Sequence, residues 1–134
     1  MGIYGKFETD ETLETEGILL DYGDGVKIRI ARAGGSNRAC VKAFERVHRK
    51  FRRQIQLETL SDEIGARLLR EVYADTVVLG WEGVEDRDGN PLAFSRENCL
   101  KVLEDLPDLF RDIREAAENA ALFRAELRET DAKN

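Results

Sequence analysis

The 134-residue chain has the length of one domain, and its 42% hydrophobic and 36% charged residues mark it as globular rather than disordered. Its apolar runs are only a few residues long, which excludes a membrane-spanning helix, and a net charge of −6 argues against general nucleic-acid binding. The N-terminus lacks a basic start and an apolar stretch, so no signal peptide is expected, and Lys6 stands where a myristoylation motif needs Ser or Thr.

Residues 1–15 are polar and acidic, with Ile3, Tyr4, Phe7 and Leu13 as their sizeable apolar groups, and read as a flexible arm with one or two docking points. A β-hairpin is expected over residues 16–32. Gly17 to Tyr22 and Val26 to Arg32 flank Gly23-Asp24-Gly25, and Val26, Ile28 and Ile30 alternate with Lys27 and Arg29. A lone hairpin is marginal in water, so its apolar face must lie on helices.

Gly34-Gly35-Ser36-Asn37 ends the strand and offers two helix caps. From Arg38 to Leu57, Cys40, Phe44, Val47, Phe51 and Ile55 recur every three or four residues as an apolar stripe. The other faces of this helix are basic, with Arg38, Lys42, Arg46, Arg49, Lys50, Arg52 and Arg53 against Glu45. Thr59 and Ser61 restart a helix that runs to about Leu79, with Ile64, Leu68, Val72 and Val77 inward and Gly80 closing it. Gly65 weakens that helix slightly or allows close packing.

Trp81-Glu82-Gly83-Val84 then reads as extended chain, Asp86 to Pro91 as a turn and Leu92-Ala93-Phe94 as a short return. The single indole, Trp81, is expected to bury most of its ring and to pin the two helical halves together. Ser95 caps a helix over about Arg96 to Asp105 that buries Cys99, Leu100 and Leu103. A break at Asp105-Leu106 precedes a last helix from Pro107 to about Arg128, whose stripe includes Leu109, Phe110, Ile113, Phe123 and Leu127. Its alanines would let another helix approach closely, from this chain or from a second copy. Thr130 to Asn134 is a polar tail. The fold class is α+β and predominantly α-helical: one domain over residues 16–129, with an N-terminal hairpin packed on about four helices.

Several patterns carry chemistry on paper. Asp86-x-Asp88-x-Asn90 with Glu97 echoes a calcium loop, but Pro91 stands where such loops need glycine, and a self-bonded turn is the preferred reading. Ala33 to Asn37 lies between a strand and a helix, as phosphate loops do, yet lacks the Gly-Lys-Ser/Thr ending. His48, the sole histidine, has no cysteine or carboxylate at ligand spacing, and Cys40 and Cys99 sit at apolar helix positions as buried reduced thiols in a cytoplasmic setting. No catalytic set, metal site or cofactor is expected, so the chain reads as a non-enzyme. The basic face, centred on Arg46, Arg49, Lys50 and Arg53, is the one feature that suits a nucleic acid, or else an acidic protein segment.

Three stretches carry a family resemblance: Leu20-Asp21-Tyr22-Gly23-Asp24-Gly25-Val26-Lys27-Ile28 to Arg32, Trp81-Glu82-Gly83-Val84 with Asp88 to Leu92, Phe94-Ser95 and Glu97-Asn98, and Leu106 to Phe110 leading into Asn119 to Arg124. Through them the chain resembles, from about Lys6 to Asn134, the tail assembly chaperones of long-tailed, siphovirus-type bacteriophages. The resemblance implies a non-enzymatic assembly factor in the host bacterial cytoplasm. Such proteins bind the helical, aggregation-prone tape measure protein, help recruit tail tube subunits and leave before the tail is finished. Contact with the partner is then expected through Trp81, Phe110, Phe123 and Leu127, with self-association open. The alternatives are a structural tail completion or connector protein of the virion, and a small nucleic-acid-binding regulator.

Overall fold

Asp24 and Gly25 set the first long-range geometry. In the computed structural model, which describes residues 2–125 and 127, both take positive φ, 54° and 82°, as a two-residue hairpin turn requires. The turn joins β1 (Ile18–Gly23) to β2 (Val26–Ile30), antiparallel, with Ile18 opposite Ile30 and Leu20 opposite Ile28. A third strand, β3 (Val78–Glu82), pairs antiparallel on the other edge of β2. There Trp81 lies opposite Ile28 and Val78 opposite Ile30. Because side chains alternate along a strand, Ile28, Ile30 and Val78 enter the core while the Leu19–Arg29 pair is exposed on the other face.

Ahead of the hairpin, residues 2–16 contain two short helices, α1 (Ile3–Phe7) and α2 (Glu11–Glu16). Asp10 caps α2 by accepting from the Leu13 N–H at 2.9 Å. The segment is bonded to both ends of the fold. The Asp10 N–H donates to the Phe123 carbonyl at 2.8 Å, and the Arg32 N–H to the Glu14 carbonyl at 3.0 Å. Glu14 is 3% exposed.

The helices that follow are α3 (Arg38–Lys50), α4 (Arg52–Gln56), α5 (Asp62–Thr76), α6 (Arg96–Asp105) and α7 (Pro107–Glu118). Asn37, Ser61 and Ser95 cap α3, α5 and α6, each accepting from the N–H three residues on. Pro107 opens α7, where its missing N–H costs nothing. α5 packs against α3, α6 and β3, and so forms the middle of the body. Around it Cys40, Val72, Tyr73, Cys99, Leu103 and Ile113 are buried, and Tyr73 meets Phe110 edge to face, centroids 5.4 Å apart. The architecture is mostly helical α+β: a hairpin extended to three strands, with about four substantial helices.

Three boundaries differ from the sequence reading. The helix expected to reach Leu79 ends at Thr76, and Val78 to Glu82 is strand β3. β2 offers an unpaired edge, and the β-branched run Val77-Val78 suits it better than another helical turn. Gly80 therefore lies within β3 opposite Arg29, not at a helix cap. The helix expected over Arg38–Leu57 is divided at Phe51 (φ −109°, ψ 18°). The Phe51 N–H to Val47 bond (3.0 Å) and the Ile55 N–H to Phe51 bond (2.9 Å) run through this point, so the ladder is kinked rather than severed. The helix that opens at Pro107 stops at Glu118. Asn119 leaves helical geometry and its side chain caps a 3₁₀ turn, Ala120–Phe123. The expected end at Arg128 and the tail 130–134 lie outside the described residues.

Candidate partner-binding surface

Trp81 sits on β3 with its indole half-buried against the core. Its Nε1–H donates to the Leu92 carbonyl at 2.8 Å, and Phe94 meets the ring edge to face at 5.0 Å. The indole therefore clamps the 83–94 loop onto the sheet, rather than joining two helices as the sequence reading has it. Phe110 and Phe123 lie deeper, 6% and 0% exposed, with the Arg114 guanidinium laid over the Phe110 ring at 4.7 Å. Leu127 is 37% exposed. Of the four apolar candidates, Leu127 is on the surface, Trp81 at its margin, and the two phenylalanines inside.

Leu127 does not stand alone. It lines a groove with Leu13, Ile18, Leu19 and Leu122, with Gly17 and Arg29 beside them, enclosing about 490 Å³. The hairpin pattern holds the signal for part of this: if Ile18 and Leu20 face inward, Leu19 must face out, and it is 49% exposed. A second apolar cluster lies on α1, where Ile3, Tyr4 and Phe7 are 69%, 80% and 64% exposed. There the Arg124 guanidinium lies 5.3 Å from the Phe7 ring centroid and donates to the Phe7 carbonyl at 2.8 Å.

The basic candidates Arg46, Arg49, Lys50 and Arg53 are all exposed, as are Arg38, Lys42 and Arg52. Seven of the chain's 21 Lys and Arg, against one of its 27 Asp and Glu, fall within residues 38–57. None of the seven forms an ion pair among the described residues, whose salt bridges involve Arg32, Arg87, Arg96 and Arg111. Lys50 instead stands over the Phe51 ring, 5.6 Å from its centroid. His48 is exposed on the same helix.

The two loops with ligand-like patterns are occupied by the chain's own groups. In the 86–90 turn, Asp86 Oδ1 accepts from the N–H groups of Asp88 (2.9 Å) and Asn90 (3.0 Å). Glu97 lies apart, in the first turn of α6. Among the described residues no cluster of three or more His, Cys, Asp or Glu is placed to hold a metal ion. At the glycine pair, a Cβ on Gly35 would collide with the Glu14 carboxylate and lie 2.9 Å from Arg32. The Glu14 carboxylate, paired with Arg32, stands against this loop, and its charge disfavours another anion there. Cys40 and Cys99 are free and fully buried; burial pushes both thiols up, Cys99 to about 12.

No described helix is long and apolar enough to cross a membrane. Neither the curated proteins nor the solved structures offer a match to this chain. A family model described as YdaY prophage protein does match, over residues 35–134, the part that begins at the glycine pair and holds every helix from α3 onward. With three-quarters of its length covered, the chain belongs to the YdaY prophage protein family.

Proposed function

We propose that this prophage-family chain is a non-enzymatic tail assembly chaperone, which binds the tape measure protein and assists tail tube assembly in the host cytoplasm. The observation that carries the reading is the groove of Leu13, Ile18, Leu19, Leu122 and Leu127 beside the open sheet face. An amphipathic helix shields its apolar stripe by laying it in such a groove, and Arg29 at the rim suits acidic residues flanking that stripe. Trp81 contributes from the margin of the sheet, while Phe110 and Phe123, both buried, offer the partner no surface. The resemblance carried by the three stretches implies this role, and the phage origin of the family is compatible with it.

Co-expression with a helical tape measure segment tests it. A soluble complex is expected, lost on Leu19→Asp or Leu127→Asp while the variant itself stays folded by circular dichroism. A segment that remains insoluble, with no complex recovered, overturns the reading. Peptide mapping of purified virions supplies a second check, since an assembly chaperone is absent from finished particles and a connector protein is present.

A further inference from the structure

At the end of α4, Leu57 is 60% exposed, beside a shallow depression lined by Arg49, Lys50, Arg52 and Arg53. None of these four cations is ion-paired among the described residues. Clustered unpaired cations repel one another, and an exposed leucine keeps its side chain in water. Both costs fall if the surface meets an apolar hollow with an acidic rim.

The same molecule carries an apolar hollow with a mixed, net-acidic rim on other elements. Leu92, Val102 and Leu106 line a cleft of about 180 Å³ between the 85–92 loop and the end of α6. Leu106 is 49% exposed there. Glu85, Asp86 and Asp105 stand at the rim with Arg87 and Lys101, and Arg87 is already paired with Asp105 at 3.7 Å. Residues 82–112, which hold the cleft, carry nine Asp and Glu against four Lys and Arg. α4 packs on α3, and α6 on α5 and α7, so within one chain the two features lie on separate elements.

We propose that the chain self-associates head to tail, with Leu57 and its four cations from one copy entering the Leu92–Val102–Leu106 cleft of a second. The two surfaces differ, so each added copy leaves one of each kind free, and the assembly grows or closes into a ring. The contact is independent of the tape measure reading, since it needs no other protein.

Charge exchange tests the pairing in the full chain. One variant carries Arg49→Glu, Arg52→Glu and Arg53→Glu; the other carries Glu85→Lys and Asp105→Lys, and keeps Asp86, whose Oδ1 holds the turn by accepting from the Asp88 and Asn90 N–H groups. Sedimentation equilibrium at low salt should show oligomers of the native chain that dissociate as salt rises. Each variant alone should associate at least about a hundredfold more weakly, because like charges then face each other. Mixing the two variants should restore association, since each altered surface meets its complement. A native chain that stays monomeric at every concentration, or oligomers that persist in both variants, would overturn the proposal. A monomeric chain that retards duplex DNA in a salt-dependent way would also overturn it, and assign the basic surface to phosphates.

Discussion

The side-chain amide of Asn37 donates to the Thr76 carbonyl, 2.8 Å away and 39 positions along the chain. It also donates to the Arg32 carbonyl at 2.9 Å, while its Oδ1 accepts from the Cys40 N–H at 3.4 Å. One side chain, 7% exposed, thus joins the end of the hairpin, the start of α3 and the end of α5. Asn37→Asp keeps the cap but turns an acceptor toward two carbonyls in a buried site, so a loss of about 3 kcal/mol is expected. Asn37→Ser also keeps a cap and loses only the two donated bonds, at about 2 kcal/mol. Urea unfolding followed by circular dichroism measures both, and an Asp variant as stable as the native chain would refute the three-way joint.

Asn37 also shows what the sequence reveals and what it hides. A cap is a local bond, legible from one Asn ahead of an apolar stripe, and so are Ser61, Ser95 and Pro107, whose helices begin where the residues place them. The bond to Thr76 depends on where another helix ends, and nothing near Asn37 encodes that. β3 is hidden for the same reason. Val77-Val78-Leu79 is a short apolar run that periodicity cannot assign, and from Val78 it becomes a strand because β2 has an open edge to offer. The stop at Asn119 carries no proline or glycine; the contacts that fix it, Asp10 to Phe123 and Ala125 to Glu8, come from the other end of the chain. The candidate surface divides likewise. The exposed basic face follows from helical spacing, whereas the groove at Leu127 joins residues from both termini and the hairpin.

The Glu14–Arg32 pair gives the fold an acid limit. Burial alone would raise the Glu14 carboxyl, but hydrogen bonds from Arg32, Ser36 and Thr9 and the Arg32 charge outweigh it and hold the pKa below the ordinary 4.5. A carboxyl whose folded pKa is depressed adds stability that is fully present above its unfolded value and is lost as pH falls through the folded one. The native chain should therefore lose thermal stability below about pH 4.5 more steeply than Glu14→Gln. At neutral pH that variant should be about 2 kcal/mol less stable, because Arg32 loses its partner in a partly buried site. Parallel melting curves for the two proteins across this pH range would remove Glu14 from the account.

Neither thiol should react while the protein is folded. Only the thiolate attacks an alkylating reagent, and burial raises both Cys40 and Cys99, the latter to about 12. With both side chains 0% exposed, reaction at pH 8 must wait for the chain to open. Mass spectrometry after iodoacetamide is expected to find no alkylation in buffer and two sites in denaturant. Because Cys40 lies on α3 and Cys99 on α6, their rates at intermediate urea report whether the two helices open together. Rapid native-state labelling of either residue would contradict the packing described around α5.

Among the described glycines, the tightest approach to another main chain lies between the hairpin turn and the loop after β3. Gly83 has φ +74°, and a Cβ there would stand 2.7 Å from the Gly25 carbonyl carbon and closer still to its oxygen. Gly89 has a similar φ of +83°, but a Cβ would meet only Glu85 Oε2 at 3.6 Å. The pair separates two effects that glycine substitutions usually mix. Gly89→Ala carries the conformational strain alone, about 1 kcal/mol. Gly83→Ala adds a collision between two main chains, which no side-chain rotation can relieve, and should cost at least about 3 kcal/mol. The collision would push the 83–94 loop off the hairpin, so Gly83→Ala should also loosen Trp81 from Leu92 and shift the single-tryptophan fluorescence to the red. Gly89→Ala should leave that emission unchanged, and equal effects of the two substitutions on stability and emission would show that the close approach does not exist.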